Sequence, residues 1–276
     1  MSKKEECPKC NYFEEEYKDV SKCYRCGLGI TEKETKEPEK QNYVYEKGKA
    51  EKRKENLRFY IEKYLPKIEN KNKSLDVGCG NGILPKIMKE RSWNAYGIDP
   101  FINKKRDKTF CENIESKSLK EFETEEKFRL VTFMHTLEHI PETKKSLKKV
   151  GKLLEKGGYV FICVPNFGSY WSKLRGENWR WLNTSEHIYH FTPDSIRRIL
   201  SKAGFKEIEV YTENKNMRGI VLENLRSLGY LSTNSVLNTI LHKGGSIVDP
   251  LLKGVVDKYL DRRKKGAELI AIARHY

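Results

Sequence analysis

The chain has 276 residues, of which 37% are hydrophobic and 11% aromatic, and it carries a formal net charge of +15. This length allows one core of about 200 residues and a small appendage, and the aromatic content argues against a disordered chain. The sequence has no run of about 18 uncharged apolar residues and no apolar stretch near Met1. It therefore predicts neither a transmembrane helix nor a secretory signal.

The chain has 54 Lys and Arg against 39 Asp and Glu, and the excess of basic residues is spread along the sequence rather than concentrated in a basic arm. A nucleic acid is a possible but less favoured partner, and peripheral contact with an anionic membrane is possible on the same ground. The seven cysteines are an odd number in a chain without a predicted signal. This favours a reducing compartment over a disulfide framework, so we predict a cytoplasmic protein.

Four cysteines form two C-x-x-C pairs, Cys7 with Cys10 and Cys23 with Cys26, separated by twelve residues. A two-residue gap lets both thiolates of a pair face one ion, and two pairs complete a tetrahedral four-sulfur shell. An iron centre and a redox dithiol are the alternatives, but this spacing is typical of structural zinc. We predict a zinc ribbon over residues 1–30, whose folding energy the metal would supply.

Residues 31–41 are mostly polar and charged and predict a solvated linker, after which residues 42–276 are expected to form one domain. Apolar residues at helical spacing over 42–68 predict one or two amphipathic helices at its start. A short buried strand then ends at Val77, and three glycines precede a helix that begins near Ile83.

The glycine loop at 78–82 allows close approach of the backbone to a ligand, and the helix that follows would present free N–H groups to an anionic end. Its spacing is G-x-G-x-G rather than that of dinucleotide binders, and an ordinary strand-to-helix turn is the alternative. A second strand ends at Asp99, which in a doubly wound sheet would meet the ribose of a bound nucleoside. Asp99 precedes Pro100 and is also a candidate helix cap, and the two roles are compatible.

Several segments resemble class I S-adenosylmethionine-dependent methyltransferases. They read LDVGCGNG at 75–82, GIDP at 97–100, FRLVTFMH at 128–135, TLEHIP at 136–141, LLEKGGYV at 153–160 and HIYHFTP at 187–193. The LEH segment is similar to the small-molecule branch that includes ubiquinone-pathway O-methyltransferases. The resemblance implies an α/β, doubly wound fold with a mostly parallel seven-stranded sheet, helices on both faces, and S-adenosylmethionine as methyl donor.

The resemblance also implies a set of cofactor-binding residues. The glycine loop and the carboxylate before it would surround the methionine part, Asp99 would hold the ribose, and Asn113 would lie near the adenine. Met134 and His135 would lie beside the sulfonium and the acceptor. The implied set is Asp76, Gly78, Cys79, Gly80, Asn81, Gly82, Asp99, Asn113, Met134 and His135.

Alternating strand and helix patterns predict the same α/β fold from the sequence pattern alone. The predicted strands cover residues 74–78, 94–98, 109–112, 128–134, 157–164, 205–212 and 267–275. The predicted helices cover residues 82–91, 101–107, 142–155 and 193–203. The ligand site is expected at the carboxyl ends of the parallel strands.

Methyl transfer is an in-line displacement that needs alignment and, for a hydroxyl acceptor, a base. Four of the six histidines form two short clusters, His135 with His139 and His187 with His190. We predict catalytic residues among these four, with His139 first; packing or capping alone is the alternative. Ubiquinone-pathway enzymes associate an E-x-x-E-H motif with a divalent ion, and residues 135–139 read H-x-x-E-H, so the resemblance leaves a second metal open here.

Two insertions are expected to shape the acceptor side. Residues 166–191 contain three of the four tryptophans within eleven positions, and they form either a packed cap or the aromatic walls of an acceptor pocket. Residues 213–266 show amphipathic patterns that predict a helical cap or dimer contact, with a membrane-surface patch as the alternative.

The predicted function is methyl transfer to a small molecule. The favoured acceptor is a hydroxyl of a sugar or glycan, a quinone or a lipid-linked intermediate. The alternative is an RNA methyltransferase that uses the zinc ribbon for RNA docking, although no N-P-P-Y-type tetrapeptide follows Met134. A non-catalytic scaffold is the third hypothesis, and the intact glycine loop argues against it.

Overall fold

Two β-sheets form the framework of the described part of the chain, which comprises residues 13–17, 19–33, 47–68, 72–102, 111–214 and 261–276 of a computed structural model. In chain order the strands are β1 (Phe13–Tyr17), β2 (Val20–Cys23), β3 (Gly29–Thr31), β4 (Lys73–Val77), β5 (Asn94–Ile98), β6 (Ile114–Glu115), β7 (Phe128–Met134), β8 (Leu154–Pro165), β9 (Tyr189–His190), β10 (Lys206–Glu213) and β11 (Glu268–His275). The α-helices are α1 (Lys47–Tyr64), α2 (Ile83–Lys89), α3 (Thr143–Leu153), α4 (Tyr170–Arg175) and α5 (Pro193–Lys202).

The larger sheet has seven strands in the order β10-β11-β8-β7-β4-β5-β6. Strand β11 pairs antiparallel with β8 and β10, and the other neighbouring strands in this sheet pair in parallel. The mostly parallel seven-stranded sheet is therefore confirmed. Its carboxyl edge collects the ends of β4, β5, β7 and β8 together with the start of β11.

Helices cover both faces of this sheet. Successive side chains of a strand point to opposite faces, so one strand contributes to the core on both sides. Val131 and Phe133 of β7 belong to a buried cluster that includes residues of α3 and α5. Leu130 and Met134 of the same strand belong to the cluster that includes residues of α1 and α2. The apolar runs in these strands are what a sheet buried on both faces requires.

The smaller sheet has the order β1-β2-β3-β9 and joins the N-terminal strands to the aromatic insertion. Gly29 pairs with His190 and Ile30 pairs with Tyr189, both antiparallel. Leu28 and Ile30 are fully buried and belong to the same cluster as Val77. The boundaries predicted for the zinc ribbon and linker stay a prediction, and strand pairing connects this segment directly to the larger domain.

Most predicted elements occur within a few residues of their predicted positions, and the third strand of the sheet is the main correction. It was expected at 109–112, whereas β6 begins at Ile114 and has two residues, because pairing with β5 occurs at Gly97 and Ile98. Most of the predicted helix 101–107 and almost all of the insertion 213–266 lie outside the described residues. Within the described ranges, no helix combines the length and the apolar character needed to cross a bilayer.

Candidate functional site

The glycine loop begins where β4 ends and leads into α2. Gly78 and Gly82 adopt φ values of 74° and 85°, a region that side chains rarely tolerate. A Cβ atom at Gly78 would lie 2.3 Å from Oγ1 of Thr136, and one at Gly82 would lie 2.2 Å from Cδ1 of Ile114. The loop therefore packs against the segment that follows β7 and against the first residue of β6, which places it at the carboxyl edge of the sheet.

The main-chain N–H groups of this loop bind protein oxygens. Gly78 and Cys79 donate to the carbonyl of Ile98 over 2.8 and 3.1 Å, and Gly80 donates to Oδ2 of Asp99 over 2.9 Å. These three loop amides are therefore not available to a ligand, and the free N–H groups predicted from the sequence are those of the helix that follows, at the start of α2. The edge instead presents carboxylates, which suit a ligand that donates hydrogen bonds or carries positive charge.

Asp99 lies directly after β5 and is 3% exposed. Besides accepting from Gly80, its Oδ1 accepts the N–H of Phe101 over 2.9 Å. This contact is of the kind that a capping carboxylate makes, but most of the helix that it was predicted to cap lies outside the described residues. Each carboxylate oxygen can accept more than one hydrogen bond, so the cap and a ribose contact remain compatible.

Asp76 lies one strand away, near the end of β4, and is 5% exposed. Its Oδ1 accepts a hydrogen bond from Thr132 Oγ1 over 2.7 Å, across the β4–β7 pair. Burial raises the pKa of this carboxyl to about 7, against the opposing effects of Thr132 and Arg53. A nearby cation would favour the ionised form of Asp76 and so be bound in return.

The other predicted cofactor residues lie along the same edge. Cys79 and Asn81 are buried in the loop, and Met134 is buried at the end of β7. Asn113 immediately precedes β6, where its carbonyl accepts the N–H of Gly97 over 2.8 Å. His135 follows Met134 with a positive φ of 58°, which turns the chain at the end of the strand.

A second group of polar side chains lies beside this edge, where a short 3-10 helix, Leu137–His139, follows β7. One donor atom from each of Glu138, His139 and His187 lies within 4.8 Å of the donors of the other two. The rings of His139 and His187 meet edge to face with centroids 4.8 Å apart. The structure thus brings together the two histidine clusters that the sequence separates by almost fifty residues.

Hydrogen bonds fix the orientation of both rings. Nδ1 of His139 lies 3.1 Å from the carbonyl of Glu186, and Nδ1 of His187 lies 3.0 Å from the carbonyl of Trp181. Because a carbonyl only accepts, each Nδ1 carries the proton and each Nε2 keeps its lone pair in the neutral ring. Burial lowers the pKa of His187, which favours that neutral form.

Glu138 is 1% exposed, and neither carboxylate oxygen has a hydrogen-bond partner among the described residues. The nearest cationic group is Nδ1 of His135, 3.7 Å from Oε1 and beyond hydrogen-bond distance. A buried carboxylate with unused lone pairs, next to two imidazole nitrogens, has the donor chemistry of a divalent-metal ligand. The residues therefore fit the second metal that the resemblance left open.

His190 has a different environment from the other three candidate histidines. It is 3% exposed, its Nε2 lies 3.0 Å from Oγ1 of Thr31, and burial lowers its pKa to about 3. Thr31 also donates from Oγ1 to the carbonyl of His187 over 2.7 Å, and from its main-chain N–H to Ile188. Strand β3 therefore braces the segment that carries His187, and the position of His190 favours a packing role.

Two further residues of the site were missed by the sequence reasoning. Glu268, at the start of β11, is fully buried, and its Oε1 lies 3.1 Å from Nε2 of His135. Its other oxygen accepts the hydroxyl hydrogen of Tyr60 from α1. The only sequence signal for Glu268 was a charged residue directly before the apolar run at 269–273.

The structure describes one of the two C-x-x-C pairs of the predicted zinc ribbon. Cys23 and Cys26 are buried, and the turn between them is closed by the N–H of Gly27, which donates to the carbonyl of Cys23 over 2.7 Å. Gly27 has a φ of 70° at this turn. A tight turn that brings two buried thiols together fits one half of a four-sulfur site. Cys7 and Cys10 lie outside the described residues.

Comparison with known proteins agrees with this arrangement. A family described as a methyltransferase domain matches residues 50–210, more than half of the chain. The ubiquinone biosynthesis O-methyltransferase of Acinetobacter baylyi is 28% identical over 186 residues, which cover 62% of this chain and 75% of that protein. The protein of the same name from Aliivibrio fischeri is 27% identical over 195 residues, which cover 63% and 80%.

Solved structures show the same fold. A SAM-dependent methyltransferase from Archaeoglobus fulgidus has a TM-score of 0.52 at 20% identity and covers 80% of this chain and 94% of its own. A possible histamine N-methyltransferase from Thermotoga maritima has a TM-score of 0.52 at 14% identity, with coverage of 83% and 95%.

Proposed function

Because the chain belongs to the methyltransferase domain family and is an S-adenosylmethionine-dependent methyltransferase, we propose that it methylates a hydroxyl of a small-molecule acceptor. The acceptor classes that fit are a sugar or glycan, a quinone and a lipid-linked intermediate. The observation that carries this proposal is the cluster of Glu138, His139 and His187 beside the end of β7. It supports the proposal because these groups could activate a hydroxyl beside the edge where the methyl donor is proposed to bind.

The methyl donor is proposed to bind along the carboxyl ends of β4, β5 and β7. S-adenosylmethionine carries an ammonium, a sulfonium and two ribose hydroxyls, all of which suit an edge that presents carboxylates. Asp76 would face the methionine part and Asp99 the ribose, with Asn113 near the adenine. Gly78 and Gly82 would hold the loop at this edge, because a Cβ atom at either position would collide with Thr136 or Ile114.

The reaction replaces a carbon–sulfur bond by a carbon–oxygen bond, and the acceptor hydroxyl loses its proton. The acceptor oxygen attacks the methyl carbon as the carbon–sulfur bond breaks, which gives a methyl ether and S-adenosylhomocysteine. The hydroxyl proton passes to a base. Strand β7 ends at Met134, and His135 follows it. The acceptor is proposed to be aligned beside these two residues, with water excluded.

The base is proposed to be one of the predicted histidines. His135 is held between two carboxylates, with Nδ1 3.7 Å from Glu138 and Nε2 3.1 Å from Glu268. His139 and His187 lie together beside Glu138. Against the lowering effect of burial, Cys163, Glu138 and Glu268 raise the pKa of His135, which favours its protonated form and leaves His139 and His187 as the candidate proton acceptors.

Two features support a small acceptor. The chain is similar to ubiquinone biosynthesis O-methyltransferases over most of their length. In addition, Trp181 of the aromatic insertion lies beside His135 with ring centroids 6.1 Å apart, which places an aromatic wall next to the proposed transfer point. Trp171 and Trp179 are buried in a small core with Phe167, so the insertion is both a packed cap and a source of this wall.

The N-terminal segment is proposed to be a zinc ribbon over residues 1–30, followed by a linker over 31–41 and the methyltransferase domain over 42–276. Support comes from the buried Cys23–Cys26 turn and from the matching C-x-x-C pair at Cys7 and Cys10. Its zinc would be structural. Elemental analysis of protein purified without chelator tests this assignment, and iron in place of zinc would contradict it.

RNA is the second candidate acceptor, and one observation favours it. A cavity of about 340 Å³ between the N-terminal strands and the start of α5 is lined by five basic residues. They are Lys22, Lys173, Arg263, Lys264 and Lys265. The carboxylates Glu16 and Asp194 line the same cavity, and Glu16 lies 2.6 Å from Lys22, so the positive charge is partly offset. Burial and the nearby Lys173 and Lys22 lower the pKa of Lys265, as expected where positive charges crowd together. Such a cavity fits a phosphate group of an RNA backbone.

Methyl-labelled S-adenosylmethionine distinguishes the two acceptor classes. The purified protein is incubated with small-molecule and RNA fractions of a cell extract, with Asp99→Ala as the inactive control. We expect label in the small-molecule fraction, and its partition between water and organic solvent separates sugars from quinones and lipids. Label confined to RNA and released by ribonuclease would contradict the proposal.

A further inference from the structure

We propose that Glu138, His139 and His187 bind a divalent transition-metal ion, with His187 as a ligand supplied by the aromatic insertion. The role of the ion in activating an acceptor rests on the proposed function, whereas the binding of the ion does not. It differs from the E-x-x-E-H pattern, in which the resemblance places the ion on one short segment. Here the ligands come from two segments almost fifty residues apart in sequence.

The unused lone pairs of Glu138 are the first observation. Both oxygens are buried without a hydrogen-bond partner among the described residues, although the residue is 1% exposed. A buried carboxylate in this condition is unfavourable unless a cation neutralises it. Nδ1 of His135, 3.7 Å from Oε1, is within ion-pair distance but beyond hydrogen-bond distance, so within the described chain the lone pairs of both oxygens stay unused.

The orientation of the two imidazoles is the second observation. The carbonyls of Glu186 and Trp181 hold Nδ1 of His139 and His187, respectively. This leaves Nε2 of each ring as the metal-binding nitrogen. A carbonyl that receives the Nδ1 hydrogen and fixes the ring is a common outer partner of histidines that bind metals.

The spacing of the donors is compatible with one ion. Three donor atoms within 4.8 Å of one another need only small side-chain movements to reach the metal–ligand distances of about 2.0–2.2 Å typical of zinc. Three protein ligands leave a fourth position open to a water molecule or to the acceptor oxygen. An ion with such an open position would favour the ionised form of a bound hydroxyl.

His135 occupies the position of the first carboxylate in the E-x-x-E-H pattern, but it has other partners. Its Nε2 lies 3.1 Å from Glu268 and 3.8 Å from the sulfur of Cys163. Replacing a carboxylate by an imidazole ligand from position 187 gives a set of two nitrogens and one oxygen. Such a set favours zinc and related transition metals over magnesium, which prefers oxygen ligands.

The test is the zinc content of the full-length protein after dialysis against zinc and excess magnesium, measured by elemental analysis. In His187→Asn, the amide nitrogen can still donate to the carbonyl of Trp181, whereas no atom replaces Nε2. His139→Asn applies the same change to the second ring. His135→Ala is the control, because the potential ligand atoms of His135 group with those of Cys163 and Glu268 rather than with the proposed site. Circular dichroism and S-adenosylhomocysteine binding confirm that each variant is folded.

We expect His187→Asn and His139→Asn each to contain about one equivalent of zinc fewer than the wild-type protein. His135→Ala should keep the wild-type content. Because each variant is compared with the wild-type protein, zinc bound at the N-terminal cysteines contributes equally to both and does not affect the difference in zinc content. An unchanged zinc content in folded His187→Asn, or an equal loss in His135→Ala, would overturn the proposal. The measurement needs no acceptor, so its failure is distinguishable from failure of the proposed function.

Discussion

The main-chain N–H of Gly80 donates to Oδ2 of Asp99 over 2.9 Å, which ties the glycine loop after β4 to the end of β5. The carboxylate that the resemblance assigns to the ribose therefore also shapes the loop that would face the methionine part. Loss of Asp99 should disturb both contacts with the methyl donor. This coupling is why a single side chain is expected to have a large effect on cofactor affinity.

The affinity for S-adenosylmethionine should rise with pH. Asp76 has a pKa of about 7 in the ligand-free protein, well above the ordinary value of 3.8, so it is largely protonated in mild acid. A cationic ligand binds the ionised form better, and binding therefore releases a proton from Asp76 below its pKa. We expect affinity to increase roughly tenfold between about pH 5.5 and pH 8 and then to level off.

Calorimetry across this pH range measures the effect, with Asp76→Asn as the matched variant. The asparagine keeps an oxygen that can accept from Thr132, but it does not ionise. Its affinity should be weaker at pH 8 and nearly independent of pH. An equal pH dependence in both proteins would assign the titration to another group.

The N-terminal strands should contribute to the stability of the whole described domain. Ile30 is fully buried in the same cluster as Val77, and β3 pairs with β9. Ile30→Ala is therefore expected to lower the free energy of unfolding by about 2–4 kcal/mol, the usual result of removing a buried aliphatic side chain. Chemical denaturation monitored by circular dichroism measures this change.

Lys33→Ala, in the exposed residues after β3, is the control and should leave the stability nearly unchanged. A separate early transition in Ile30→Ala, with S-adenosylhomocysteine binding retained beyond it, would show that the N-terminal segment folds as an independent unit.

At least one of the four clustered histidines should be needed for turnover. We expect Ala at His135, His139, His187 or His190 to lower kcat by roughly 10²–10⁴ in at least one case, with cofactor affinity unchanged, as for loss of a general base. His139 is the first choice. His190→Ala should mainly reduce stability, because its ring is buried against Thr31.

Single-turnover rates with the identified acceptor test this prediction, and the zinc content separates two explanations. Loss of rate together with one zinc equivalent identifies a ligand, whereas loss of rate with zinc retained identifies a base. Wild-type rates in all four variants would mean that alignment alone accounts for catalysis.

Much of the cofactor edge could be predicted because its features are local in sequence. The glycine loop directly follows a buried strand, and Asp99 directly follows the next one, so alternation and turn chemistry place them at one edge. The local pattern did not predict the hydrogen bonds that the loop amides of Gly78, Cys79 and Gly80 donate to the protein. Their partners are Ile98 and Asp99, which reach the loop only once β4 and β5 pair.

The histidine side of the site depended on contacts that sequence spacing does not reveal. His187 reaches Glu138 because the N–H of Ile188 donates to the carbonyl of Glu138 over 2.9 Å, and β3 braces the same segment. Glu268 reaches His135 because the last strand enters the sheet antiparallel to β8. Both relationships follow from the tertiary order of strands and not from any local pattern.

The central claim is that the edge formed by the glycine loop and Asp99 binds the methyl donor. Titration calorimetry with S-adenosylhomocysteine tests it most directly, with Asp99→Ala and the exposed-carboxylate control Glu123→Gln. We predict one site per chain in the wild-type protein and an affinity weakened by about 1.5–3 kcal/mol in Asp99→Ala, with no change in the control. An unchanged affinity in folded Asp99→Ala would contradict the account.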